Sequence, residues 1–161
     1  MKRFGLVLAT AFCLLASVLA QSAPTPEMPY RKATLAQTLE IIRSARREIY
    51  VLAPSLRNVE VARALRSRTE SGVVLRLLIA NKAGYTGFET NLRTSRNVEA
   101  RWLPERVGGA MLMVDDAALV MGSVVSGLSG SGESIAVNRP ELVPALGATL
   151  KQLFARAKRP K

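Results

Sequence analysis

Between Thr34 and Lys158 the chain alternates helix-period segments with short apolar runs, and this alternation is its strongest constraint on fold. Leu35, Leu39 and Ile42 recur at helical spacing, which predicts a helix over Thr34–Arg47. Arg43, Arg46 and Arg47 crowd its end, where cations suit the helix dipole. Ile49–Ala53 reads as a short buried strand stopped by Pro54. Asn58 is placed to cap a second helix, running to about Glu70 with Val61, Ala62 and Leu65 inward and Gly72 ending it. Val73–Ala80 is an apolar strand, and Val98–Leu103 another. The connection Asn81–Ser95 is polar, with room for a short helix near Phe88–Leu92. Met111–Val114 and Ala117–Met121 flank Asp115-Asp116, a hairpin signal. A Gly/Ser-rich stretch, Gly122–Gly132, precedes a last strand at Ser134–Val137 and a last helix at Glu141–Lys158. Helices interleaved with buried strands predict one α/β layered domain, without internal repeats.

The segment before it has another character. Lys2 and Arg3 precede an almost wholly apolar run from Phe4 to Ala20. Val18-Leu19-Ala20 has the pattern of a small-x-Ala cleavage site. The run is short for a spanning helix of about 20 residues. Pro24, Pro26 and Pro29 follow at once in a segment that reads as a linker. The expectation is a secretory signal peptide at 1–20, a linker at 21–33 and a folded domain at 34–158. Cys13 lies inside the apolar run after Phe12, which argues against a lipoprotein anchor. Cleavage before Gln21 removes two cations and no anion, leaving 141 residues with a net charge of +9. It also removes the only cysteine. The expected destination is the periplasm or the exterior.

The chain contains no histidine. That excludes histidine nucleophiles, histidine general bases, Ser-His-Asp and Cys-His machinery, and every zinc site with a histidine ligand. One cysteine excludes an intrachain disulfide. No cofactor and no metal are expected.

The order of elements resembles one half of a phospholipase D-type domain, and the likeness becomes specific at Asp115. That family carries H-x-K-x4-D-x6-G-S with an Asn two residues after the Ser. Here Asp115 is followed at that distance by Gly122-Ser123. Glu133 and Asn138-Arg139-Pro140-Glu141 also look like the family. The resemblance implies an α/β fold with a mixed sheet flanked by helices. It also implies a histidine that attacks phosphorus, a second histidine from the other half of a dimer, and a lysine and asparagine that hold phosphate oxygens. In this chain the three motif positions are Gly108, Ala110 and Val125. Glycine neither attacks nor transfers a proton, alanine carries no charge, and valine donates no hydrogen bond. The other positions have structural readings. Asp115 suits a hairpin turn, Gly122-Ser123 a tight strand exit, and Glu133 either supports the old cleft or pairs with an arginine. Ser123 as a nucleophile needs a base such as Lys82 or a carboxylate, and no spacing supports one.

Arginine is the second signal. Arg57, Arg63, Arg66 and Arg68 belong to the second helix and its approach, and Arg93, Arg96, Arg101 and Arg106 precede Gly108. Lys151, Arg156, Lys158, Arg159 and Lys161 end the chain. Arginine prefers bidentate pairing with phosphate, and the net charge makes a field that attracts polyanions. The competing reading is a dispersed, solvated basic surface. The candidate phosphate contacts are Arg101, Arg106, Arg63 and Arg66. The leading expectation is an exported, inactive phospholipase D-like domain that binds a phosphate-bearing polyanion (nucleic acid or anionic lipid) or a partner protein. The alternative is a family phosphodiesterase active only in a homodimer or heterodimer with an intact member, or by altered chemistry. A purely structural subunit is the third reading.

Overall fold

The computed structural model describes residues 30–80, 91–127, 134–137 and 141–159, with Tyr30 in its backbone only. Seven strands form one sheet: β1 (Tyr30–Ala33), β2 (Glu48–Ala53), β3 (Val74–Ile79), β4 (Val98–Trp102), β5 (Met111–Val114), β6 (Ala118–Gly122) and β7 (Ser134–Val137). Their order is β1-β7-β6-β5-β2-β3-β4. β2, β3 and β4 are parallel, while β5 runs antiparallel to β2 and begins an antiparallel series through β6 and β7 to β1. The helices are α1 (Leu35–Ser44), α2 (Val59–Glu70), α3 (Ser123–Ser126) and α4 (Leu142–Arg156). The α/β expectation, a mixed sheet flanked by helices, is therefore met.

Strand alternation divides the core. Ile49, Val51, Leu75, Leu77, Leu112 and Val120 point to one face and pack with Ile42 of α1 and Leu65 of α2. Tyr50, Leu52, Leu78, Met113 and Leu119 point to the other and pack with Val143, Leu150 and Phe154 of α4. Each fully buried aliphatic side chain contributes about 1.5–3 kcal/mol, so both faces must be covered for the sheet to hold. α1 begins at a capping box, with the Thr34 hydroxyl accepting from the Gln37 amide and the Gln37 side chain accepting from the Thr34 amide. Asn58 caps α2 as its side-chain type predicts, accepting from the Glu60 and Val61 amides.

Several boundaries differ from the sequence reading. Tyr30–Ala33 is an edge strand paired with β7, although it falls in the expected linker. Arg31 and Lys32 are exposed and only Ala33 is buried, so the segment carries little apolar signal. α1 stops at Ser44, before Arg46 and Arg47, because the chain bends there to start β2. Part of the Gly/Ser-rich stretch is the short helix α3. The chain leaves α4 at Ala157 and turns extended, and Lys158 bridges Trp102 at the β4 edge. The proposed signal peptide, Lys82, Glu133 and Asn138–Pro140 lie outside the described residues, as do all but Asn91 and Leu92 of the region near Phe88–Leu92 and all but its beginning of Gly122–Gly132.

Candidate functional site

Ala110, Gly122-Ser123 and Val125 lie at one end of the sheet, where β2 and β3 finish, β5 starts and β6 ends. The Gly122 amide donates to the Ala110 carbonyl at 2.9 Å, which holds the start of β5 beside Gly122-Ser123. Gly122 has φ 133, and Gly127 closes α3 in the left-handed region at φ 68. A Cβ at Gly127 would stand 2.7 Å from the Asn58 nitrogen, so only glycine fits there. The loop is then tied to the start of α2. The Arg57 amide donates to the Ser126 carbonyl at 2.8 Å, and the Asn58 side-chain amide to the Val124 carbonyl at 3.2 Å. Its other side is fixed by the Val124 amide, which donates to the Ser134 hydroxyl at 3.2 Å.

Inside this frame the chemistry is apolar. Val125 is 0% exposed and Ala110 4% exposed, and both belong to the core cluster under α1 and α2. The two positions that would hold phosphate oxygens are thus part of the hydrophobic interior. Gly108 is exposed, with nothing within 4 Å of a Cβ built on it. The Ser123 carbonyl accepts from the Ser126 hydroxyl and the Gly127 amide, but its own hydroxyl has no hydrogen bond among the described residues. No base activates it there. Among the described residues no three of His, Cys, Asp or Glu stand together as metal ligands.

Asp115 lies at the other end of β5, about five residues and 16 Å of strand from Ala110. It and Asp116 have φ 52 and 57, the left-handed centre of a turn closed by the Ala117 amide donating to the Val114 carbonyl at 2.9 Å, with Val114 and Ala118 the first paired residues on either side. Its carboxylate accepts from the backbone amides of Arg46 at 2.6 Å, Arg47 at 2.9 Å and Glu48 at 2.8 Å. Burial pushes its pKa up. The three amides and the Arg47 charge outweigh that and hold it below the usual carboxylate value. Asp115 therefore fastens the bend between α1 and β2 to the hairpin.

A network that sequence reasoning missed adjoins this clasp. Lys151 of α4 meets Asp116 at 2.5 Å and Glu48 at 3.5 Å, and Glu48 also pairs with Arg76. The hydrogen bond to Asp116 raises the Lys151 pKa against the opposing effect of burial. Arg76 and Lys151 lie 5.1 and 5.7 Å from the Tyr50 ring centre, and burial raises the pKa of the Tyr50 phenol. A charged residue inside the apolar run of β3 is the sequence signal for this network: Arg76 faces α4 at the register position of Tyr50.

The four candidate phosphate contacts do not form one patch. Arg101 takes the register position of Leu78 on the α4 side and donates from Nη1 to the Phe154 and Ala155 carbonyls, both at 3.1 Å. Its guanidinium stands 4.6 Å from the Phe154 ring centre. Arg106 is exposed in the loop before β5. Arg63 lies on the opposite side of the sheet, in a groove between α1 and α2 that it shares with Arg43 and Glu60. Arg66 is paired with Glu70 at 2.9 Å. Closeness in sequence placed Arg101 and Arg106 near the motif, whereas the sheet carries Arg101 three strands sideways from β5.

The sheet order and the helices on its two faces define a phospholipase D-like fold. Among solved structures the chain is similar to NucT from Helicobacter pylori, at 13% identity and TM-score 0.66 over 81% of this chain and 99% of that one. It is also similar to Nuc from Salmonella typhimurium, described as a phospholipase D family member, at 15% identity and TM-score 0.62 over 82% of this chain and 97% of that one. A third neighbour is TrmBL2, described as an archaeal chromatin protein with a novel mode of DNA binding, at 13% identity and TM-score 0.59 over 96% of this chain and 62% of that one. No protein-family model and no curated protein matches the sequence.

Proposed function

We propose that this chain is an exported, catalytically inactive phospholipase D-like protein that binds a phosphate-bearing polyanion through its arginines. One observation carries the inactivity: Ala110 and Val125 are buried core residues where the family's chemistry needs a lysine and an asparagine facing phosphate. An intact partner subunit would not restore those groups to this half, because the space they need is filled. The excess of cations supports the polyanion, and the DNA binding described for TrmBL2 is consistent with nucleic acid.

The purified protein is expected to turn over none of bis-p-nitrophenyl phosphate, plasmid DNA and phosphatidylcholine. Product release that follows the protein through purification, and disappears in Asp115→Ala or Ser123→Ala, would overturn the inactive reading. The export proposal rests on Lys2-Arg3, the apolar run and Val18-Leu19-Ala20. Intact-mass measurement on protein from its native envelope is expected to place the N-terminus at Gln21 or within a few residues of it. Retention of Met1 would sink that proposal.

A further inference from the structure

Beside β4, an edge strand of the sheet, lies an open depression of about 410 Å3 lined by Arg93, Val98, Glu99, Ala100, Arg101 and Arg159. Three independent pieces of backbone bring its cations together. Arg93 comes from the helical turn at residues 91–93, Arg101 from β4, and Arg159 from the extended end of the chain. The last is fixed by two hydrogen bonds between Lys158 and Trp102, at 2.7 and 3.0 Å. Arg159 thus joins Arg93 and Arg101, residues dozens of positions earlier in the chain, at one cavity some three strand spacings, about 14 Å, from the degenerate motif.

Arg101 is held ready for a ligand. Its Nη1 is occupied by the Phe154 and Ala155 carbonyls, and Phe154 supports the guanidinium plane. Nε and Nη2 have no partner among the described residues. A guanidinium fixed by its own protein loses little freedom when it binds, and its free edge suits a phosphate oxygen pair. The carboxylate on the rim, Glu99, is turned toward Arg76 at 3.9 Å.

We propose that this basin seats the phosphodiester backbone of a nucleic acid, as a binding site separate from the degenerate motif. The proposal rests on the polyanion reading and gives it a place and a ligand class. A bilayer surface fits the observations less well. Membrane-surface binding draws on inserted apolar side chains, and the only large hydrophobics exposed among the described residues are Val59 and Leu142, at the starts of α2 and α4. Backbone contacts need no such side chains and read no sequence.

The test is binding of the full chain to a short random-sequence DNA duplex, followed by fluorescence anisotropy across a salt series. Arg93→Glu/Arg159→Glu is compared with Arg43→Glu/Arg46→Glu, which makes the same charge change at the end of α1. The basin variant is expected to lose at least about tenfold more affinity, and its slope of log affinity against log salt is expected to fall by about two. Arg159→Glu alone, at an exposed position past the last helix, is expected to show half that slope change and keeps the test valid if the double variant misfolds. Equal losses in the two double variants overturn the basin and leave general polyanion attraction standing. Binding to vesicles of phosphatidylglycerol and phosphatidylcholine without binding to the duplex overturns the nucleic-acid assignment. Binding to neither at low salt removes the polyanion reading and the basin with it.

Discussion

Val125→Asn is expected to lower stability by about 2.5–5 kcal/mol without creating activity. The valine is fully buried, and removing its side chain from the core forfeits about 1.5–2 kcal/mol of apolar burial. The new amide would sit in an apolar cluster, where a polar group without partners costs a further 1–3 kcal/mol or so. Ala110→Lys meets the same cluster, although a lysine stem can carry its ammonium outward and soften the loss. Gly108→His is different, because nothing stands within 4 Å of a Cβ there, and it is expected to change stability by less than about 0.5 kcal/mol. Urea unfolding measures all three, with the slope checked for constancy so that midpoints report stability. A Val125→Asn protein with the wild-type midpoint would show that the site is not core. A triple variant that folds and cleaves phosphodiesters would show that the cleft is still open.

Asp115→Ala is expected to cost about 2–4 kcal/mol at neutral pH. It orphans the amides of Arg46, Arg47 and Glu48 and puts alanine in a left-handed backbone conformation. Asp115→Asn tolerates that conformation and keeps one acceptor oxygen, so its loss is expected to be smaller. The two also differ in pH dependence. The folded Asp115 pKa lies below its ordinary value of 3.8, so the unfolded chain takes up its proton first on acidification. The stability due to the charge is fully present above that ordinary value and is lost as pH falls through the folded one. The gap between wild type and Asp115→Asn is therefore expected to be widest near pH 7 and to narrow steadily below about pH 4. A gap that stays constant from pH 7 to about pH 3 would mean that the charge does not make the clasp.

This second result bears on what Asp115 does in a chain with Gly108, Ala110 and Val125 at the neighbouring motif positions. It stands at the far end of β5 from Ala110 and Ser123, fastening two turns, and that task needs no histidine or lysine. Val125 is placed differently, as a fully buried member of the core under α1 and α2.

Much of the architecture was legible along the chain because its signals are local. The helix period through Leu35, Leu39 and Ile42, the Asn58 cap and the Asp115-Asp116 turn each depend on residues within a few positions of one another. The register across the hairpin was not legible in the same way: Val114 pairs with Ala118, so three residues lie between the strands, and this sets Ala110 beside Gly122. β1 escaped notice because an edge strand of four residues, two of them exposed cations, has almost no apolar pattern of its own.

What only the tertiary structure decided is which of these elements lie side by side, and on which face. Arg101 and Arg106 are close in sequence, but strand order carries Arg101 to the edge of the sheet and pairing parity turns it toward α4. Arg159 reaches the same place only because the end of the chain hydrogen-bonds to β4. Arg63 and Arg66 are set on the other side of the sheet by the crossover between β2 and β3. Charge composition by itself determined the sign and the excess of charge. Where that charge is concentrated depends on register and strand order, which are long-range properties, because each pairing is chosen by contacts among residues distant in the chain.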